Sequence, residues 1–353
     1  MSTLDVSVDK MSTSDENTKV DNNIINAVSN NILCKTVTSS DKKTTSSKHS
    51  VLHFGIEICA NCGKEGDEVM NICNKCKKTT YCNAACKKKH RHKHKKDCEE
   101  HQRLAAKLHD EKLFKQPPLK EDCSLCFIRL PIHHTGYKYN SCCGKLLCSG
   151  CSYAPVYDNQ GNIVAGKKCP FCRAPCTTTD EDHLQRLKKR VEANDPIAIH
   201  NEGCDYRVGR NGFPQDYTKA LELWHRAGEL GYAVAYNNIG CAYDYGEGVE
   251  VDKKKAVHYY ERAAMKGDAL ARANLGNNEK TAGNTERALK HFVIAAESGH
   301  TNSLKQIRIL YTNGHATVDD DTKALRLYQE YLGEIKSSQR DKAAAADDNY
   351  RYY

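Results

Sequence analysis

Between Cys59 and Cys172 the chain carries cysteines in short pairs. The first group runs Cys59-x2-Cys62, Cys73-x2-Cys76, Cys82-x3-Cys86, then His94 and Cys98. The second runs Cys123-x2-Cys126, Cys142-Cys143, Cys148-x2-Cys151 and Cys169-x2-Cys172. Two thiolates three positions apart can turn back onto one ion, and a second pair completes a tetrahedral shell. Two eight-ligand sets in succession predict about four zinc ions. Each set is full and leaves no position for a reactive water, so the metal is expected to be structural. No catalytic triad, phosphate loop or paired-carboxylate site is recognisable.

Sixteen of the 19 cysteines lie between Cys59 and Cys176. A secreted disulfide scaffold would also be cysteine-dense. The paired spacing, the interspersed His and the lack of an apolar core in the first twenty residues favour zinc in a reducing compartment. The expected location is intracellular, cytoplasmic and/or nuclear. No run approaches 18 apolar residues, so no membrane span is expected. Cys34, Cys204 and Cys241 stand apart and read as packing or exposed residues.

The 353 residues suit two or three domains. The net charge of +8 is concentrated in residues 87–96, which hold seven Lys or Arg and three His. Nucleic-acid binding through this run is the weaker reading, because no aromatic residues interleave to stack on bases. A solvated helix face around one zinc ligand is the stronger.

These signals divide the chain into six segments. Residues 1–55 are polar, without period, and read as a disordered arm. The first zinc module covers 56–98, and a helical linker covers 99–121, with Leu104 and Leu108 at helical spacing and Pro117-Pro118 as its stop. The second zinc module covers 122–178, with a hairpin turn around Asp158-Asn-Gln-Gly161. Helical repeats occupy 179–335, starting with a capped helix near Asp180. Gly212, Asp216, Ala220, Trp224 and Ala227 recur 36 residues on as Gly248, Asp252, Ala256, Tyr260 and Ala263, and two further copies follow. Such a period means stacked helix pairs, about four here, with the Trp224/Tyr260 aromatic expected to fill the groove between neighbouring pairs. The tail, 336–353, reads as a fraying helix or disorder.

The first module resembles the MYND finger family in both knuckles, Tyr81-Cys82, the gap to Cys86 and His94-x3-Cys98. The resemblance implies interleaved ligation: Cys59, Cys62, Cys82 and Cys86 on one zinc; Cys73, Cys76, His94 and Cys98 on the other. His90 and His92 are then expected to face solvent. Lys87 and Arg91 stand where members that dock proline-rich peptides usually carry Gln and Trp, so that ligand is not expected; as a protein-partner module the finger is expected to be a scaffold or to bind something more acidic.

The second module resembles a RING finger with an irregular second pair. Cys142 and Cys143 are the first choice there; His133, His134 and Cys176 are the alternatives. The resemblance implies that Leu125, Pro170 and Arg173 contact a ubiquitin-conjugating enzyme and ubiquitin. Arg suits the last task because its planar fork donates several hydrogen bonds at once. The C-terminal part resembles Sel-one-like repeats, a branch of the tetratricopeptide type, which implies a scaffold for protein partners.

The expected architecture is therefore multidomain: two small cross-braced zinc-binding α+β modules, then an all-α helical-repeat solenoid. The expected function is a zinc-binding protein-interaction protein, either a RING-type ubiquitin ligase recruiting substrate through its repeats or a non-enzymatic adaptor.

Overall fold

The computed structural model describes residues 58–64, 70–116, 118, 121–164, 168–176 and 179–353. The arm at 1–55 lies outside these residues.

The first cysteine module is a two-stranded antiparallel ribbon and a long helix. Strand β1 is Asn71–Ile72 and β2 is Thr80–Tyr81, with Asn71 opposite Tyr81. Helix α1 runs unbroken from Ala84–Leu113. Asn83 caps it, its side-chain oxygen accepting from the Cys86 N–H at 2.9 Å. The helix expected from residue 99 thus begins fifteen residues earlier and carries Cys86, His94 and Cys98 on its first four turns. Its middle stands in solvent, with Leu104 and Leu108 both about half exposed. Its end does not: Leu113 is buried with residues of the helix pairs. Phe114 packs 4.7 Å from the His291 ring, and Asp110 pairs with Arg287 at 2.6 Å.

The second module pairs β3 (Tyr137–Asn140) with β4 (Lys145–Cys148), Tyr137 opposite Cys148. The short helix α2 (Ser149–Tyr153) follows directly. The expected turn forms at 157–163. Asp158 Oδ1 accepts from the N–H groups of Gln160 and Asn162, and Tyr157 bridges Ile163.

Helix α3 (Asp180–Glu192) starts at Thr179, whose hydroxyl accepts from Asp182 N. Four helix pairs then stack into a repeat solenoid. They are α4 (Pro196–Val208) with α5 (Tyr217–Glu229), α6 (Ala233–Tyr245) with α7 (Lys253–Met265), α8 (Ala269–Thr281) with α9 (Thr285–Glu297), and α10 (Thr301–Thr312) with α11 (Val318–Ile335). Asp216 and Asp252 of the repeat are N-caps, each accepting from main-chain N–H groups of the next turn.

The repeated aromatic sits elsewhere than expected. Trp224, Tyr260 and Phe292 lie against Gly203, Gly240 and Gly276, on the other helix of the same pair. A methyl group on Gly240 would lie 2.5 Å from the Tyr260 ring. The aromatic therefore locks each pair internally, because only a bare α-carbon leaves room for the ring's face. Between the first two pairs the contact is instead Gly228 against Tyr236.

The tail also differs from expectation. Residues Ser338–Ala346 form α12, which packs on α2 of the second module. Arg340 is fully buried and donates to the carbonyls of Ile128, Arg129 and Ile335 at 2.6–3.1 Å. Three main-chain carbonyls accept from its two terminal nitrogens, while its buried Nε has no hydrogen-bond partner among the described residues; the three bonds offset much of the cost of burying the charge in an otherwise alanine-rich segment. Among the described residues no helix is long and apolar enough to cross a membrane.

Candidate metal centres

Four of the five C-x2-C knuckles turn the chain in the same way; the fifth, Cys148–Cys151, runs into α2 instead. The N–H of the residue after the second cysteine reaches back to the carbonyl of the first: Gly63 to Cys59, Lys77 to Cys73, Phe127 to Cys123 and Arg173 to Cys169, all at 2.9–3.0 Å. That residue lies in the left-handed region each time, with φ of 73, 56, 57 and 64°. The turn aims both sulfurs to one side. Only the first knuckle uses glycine for it, so at the other three a side chain bears the steric cost.

Four tetrads result. Cys59, Cys62, Cys82 and Cys86 form one; Cys73, Cys76, His94 and Cys98 the second; Cys123, Cys126, Cys148 and Cys151 the third; Cys142, Cys143, Cys169 and Cys172 the fourth. Within each, all ligand atoms lie within 4.8 Å of one another. In both modules the first and third pairs share one tetrad, and the second and fourth share the other. Adjacent Cys142 and Cys143 both enter the fourth tetrad. His133, His134 and Cys176 do not; His133 Nδ1 lies 2.6 Å from the Thr135 hydroxyl instead.

The separations fit zinc. Four sulfurs about 2.3 Å from a tetrahedral ion stand about 3.8 Å apart. The sulfurs of Cys62 and Cys82, Cys73 and Cys98, and Cys126 and Cys148 are each 3.7 Å apart, and those of Cys143 and Cys169 are 3.9 Å apart. His94 Nε2 lies 3.4 Å from Cys76 Sγ, while its Nδ1 lies 3.5 Å from the Thr79 hydroxyl, which orients the ring.

Electrostatics point the same way. A main-chain N–H of Cys82 pulls the Cys59 thiol down to about 6, whereas hydrogen bonding to Cys86 pushes Cys82 up to about 12. In the third tetrad, Cys123 falls to about 4 through its bond with Cys148, and burial lifts Cys151 to about 12. Neighbouring thiols cannot all ionise unaided, and a dication is what lets them. Four full tetrads match about four structural zinc ions.

Around these centres lie residues that the sequence places less well. His90 is half-buried rather than facing solvent; it stacks on His94, one helical turn on, at 6.0 Å and approaches Tyr81. His92 is exposed. Lys87 braces β1, donating to the Ile72 carbonyl and Asn74 Oδ1 at 2.8 and 2.9 Å. Lys88, Lys89, Arg91, Lys93, Lys95 and Lys96 are exposed along α1. Leu125 is exposed, Pro170 half-buried and Arg173 exposed. The Arg173 guanidinium donates to the Tyr157 carbonyl. Phe127 and Phe171, beside these, are exposed as well.

The second module is held from two sides. Arg190 of α3 donates to the carbonyls of Ser141 and Cys142, both at 3.3 Å, and Tyr139 donates to Asp195 at the start of α4. From the other end come Arg340 and the Tyr331 hydroxyl, which accepts from Ile132 N at 3.0 Å.

Residues 59–98 match the MYND finger family. Residues 203–232, 233–268 and 271–300 match the Sel1 repeat family; the α10–α11 pair follows the third match. The chain thus carries a MYND finger and Sel1 repeats. Chitin synthase regulatory factor 4 of Schizosaccharomyces pombe is 31% identical over 109 residues, 31% of this chain and 17% of that protein. An F-box protein of Arabidopsis thaliana is 30% identical over 115 residues, 32% of this chain and 31% of that protein. The chain therefore spans less than a third of either curated relative. Among solved structures, a Sel1 repeat protein from Oxalobacter formigenes is 31% identical with a TM-score of 0.39, covering 50% of this chain and 68% of that one. A protective antigen of uropathogenic Escherichia coli with an SLR fold is 28% identical with a TM-score of 0.37, covering 46% and 35%.

Proposed function

We propose that this zinc-binding protein-interaction protein is a RING-type ubiquitin ligase, acting inside the cell and recruiting substrate through its repeats. In this reading all sixteen tetrad residues ligate zinc, in modules spanning 56–98 and 122–178, and 179–335 forms the recruiting solenoid. The observation that supports it best is the interleaving of the second module. Its two tetrads hold the knuckle that carries Leu125 and the knuckle that carries Pro170 and Arg173 on one rigid frame.

The module would supply orientation rather than acid–base chemistry. A substrate amine attacks the carbonyl carbon of the ubiquitin thioester; the C–N bond forms, the C–S bond breaks, the conjugating enzyme's thiolate leaves, and the proton shed by the amine nitrogen passes to that thiolate or to water. Leu125 and Pro170 would seat the conjugating enzyme, and Arg173 would hold the thioester-linked ubiquitin closed against it.

The competing reading is a non-enzymatic adaptor. It draws on the bond between Arg173 and Tyr157, which already engages part of the fork.

The test is ubiquitin discharge. The zinc-loaded full chain is mixed with a panel of ubiquitin-loaded conjugating enzymes. A ligase accelerates discharge by at least one of them. Arg173→Ala cuts that acceleration roughly tenfold, the worth of one or two net hydrogen bonds, and Leu125→Glu cuts it at least as far, because it places an unpaired charge in an apolar contact. No acceleration across the panel, with zinc content confirmed, leaves the adaptor.

A further inference from the structure

Cys204 and Cys241 lie outside the tetrads and occupy one position of consecutive repeats. Each follows the glycine that receives its repeat's aromatic, Gly203 on α4 and Gly240 on α6. Both thiols are half-buried. One helical turn before them stand His200 and Asn237. Two otherwise equivalent thiols thus differ in one neighbour that can take a proton.

Around Cys204, side chains from two repeats converge. His200 Nε2 lies 3.6 Å from Cys204 Sγ. Asn238 Nδ2 lies 2.9 Å from the same ring nitrogen and 3.7 Å from the sulfur. The other ring nitrogen, Nδ1, lies 3.2 Å from Asn201 Oδ1, and the ring meets Tyr232 edge-on at 5.0 Å. The sulfur's proton can therefore pass to the imidazole. Asn238 suits both states: its Nδ2 donates to the neutral ring, and a half-turn of the amide presents Oδ1 to an imidazolium N–H. Burial opposes charge on both side chains, but their mutual attraction outweighs it. The Cys204 thiol falls below its ordinary range and His200 rises above its own. Arg207 on the same helix adds to the first effect, and Asp268 at the start of α8 adds to the second. Cys241 meets the Tyr260 hydroxyl at 3.5 Å and Asn274 Nδ2 at 4.0 Å, both neutral. Burial pushes it up to about 11, with Glu247, Asp244 and Asp268 adding to the rise.

We propose that Cys204, paired with His200, is a modification site: a nucleophilic thiolate that hydrogen peroxide oxidises to a sulfenic acid, while Cys241 is spared. This goes beyond both readings of the second module and depends on neither. The thiolate sulfur attacks one peroxide oxygen; the S–O bond forms and the O–O bond breaks. The departing hydroxide takes the imidazolium proton and leaves as water. Sulfur has then given two electrons to the peroxide, and His200 is neutral again. Partial cover suits this small oxidant and keeps larger ones out. The two thiols are more than about two pH units apart, so their ionised fractions at neutral pH differ by over about a hundredfold. The more acidic thiolate is the weaker nucleophile, which takes back about tenfold. An advantage of about tenfold for Cys204 remains.

The zinc-loaded full chain is treated with hydrogen peroxide at a dose that leaves its zinc content unchanged. Sulfenic acids are trapped with dimedone, and each cysteine is read by peptide mass spectrometry. Expected is trapping at Cys204 about tenfold above Cys241. His200→Asn, which copies the residue one repeat on, should bring Cys204 to within about twofold of Cys241. A second readout needs no variant. Alkylation of the unaltered protein by iodoacetamide is followed from about pH 9 to about pH 7. The rate at Cys241 should fall about tenfold per pH unit, and the rate at Cys204 clearly less. Equal trapping at the two thiols, parallel pH profiles, or undiminished trapping at Cys204 in a folded His200→Asn chain would each overturn the proposal. So would oxidation confined to the tetrad cysteines.

Discussion

The cysteine modules and the helix pairs hold their shape by different means. Apart from cysteines, the modules bury few large apolar residues: Met70 and Tyr81 in the first; Leu130, Leu146 and Leu147 in the second. Their geometry is set by sulfur, nitrogen and the knuckle turns. The helix pairs bury Trp224, Tyr236, Tyr260 and Phe292 against glycines and alanines at each repeat. Order in one region is bought with metal, and in the other with close contact between a ring and a bare backbone. The first is lost all at once when the ion leaves. The second is lost in proportion to the volume removed.

Metal removal gives the largest separation. Zinc in finger peptides contributes about 10–16 kcal/mol per site at neutral pH. Excess chelator should abolish the fixed structure of 58–98 and 121–176 while α4 to α10 stay folded. Hydrogen exchange by segment reads this directly; solenoid helices that exchange as fast as the modules would break the comparison. Next comes Trp224→Ala, expected to cost about 3–5 kcal/mol in the solenoid through the cavity against Gly203. Thermal unfolding measures the cost, and zinc stoichiometry should not change.

A pH effect follows from His291. Its ring is fully buried without a hydrogen-bond partner among the described residues, and burial drops it to about 3. The unfolded chain binds the proton more readily, so this contribution is present above about pH 6.5 and is lost as pH falls toward 3. At pH 5 the loss is about 2 kcal/mol. His291→Phe should flatten that slope relative to the parent protein, as followed by denaturant unfolding of the solenoid. An unchanged slope would place the proton elsewhere. The smallest effect is a gain: Phe127→Gly relieves a left-handed side chain in the third tetrad's knuckle. It should slow zinc release to a competing chelator, by about 1 kcal/mol of added stability.

Ligand pairs and repeat period were plain in the sequence because both are local spacings: C-x2-C fixes a turn, and 36 residues fix a helix pair. The rest depended on contacts far along the chain. Helix α1 begins at Ala84 because its ligands pin it, although residues 87–96 offer no apolar stripe to announce a helix. The tail looked free because nothing near Arg340 shows that Ile128 and Arg129, more than 200 residues earlier, supply its acceptors. The partner of each repeated aromatic was misplaced because period alone cannot say which neighbour a ring meets. His90 was misassigned because a ligand one turn away draws it under cover.

Helix α1 has one more consequence. Its 30 residues span about 45 Å. One end is built into a zinc centre and the other is buried among α7 and α9, while the stretch between touches little. A chain of that length without helical order would let its ends wander; this one works as a ruler. Whatever the finger holds and whatever the repeats hold would be kept at a set separation. Lengthening α1 by seven residues, two turns, would move one cargo about 10 Å outward without altering either grip.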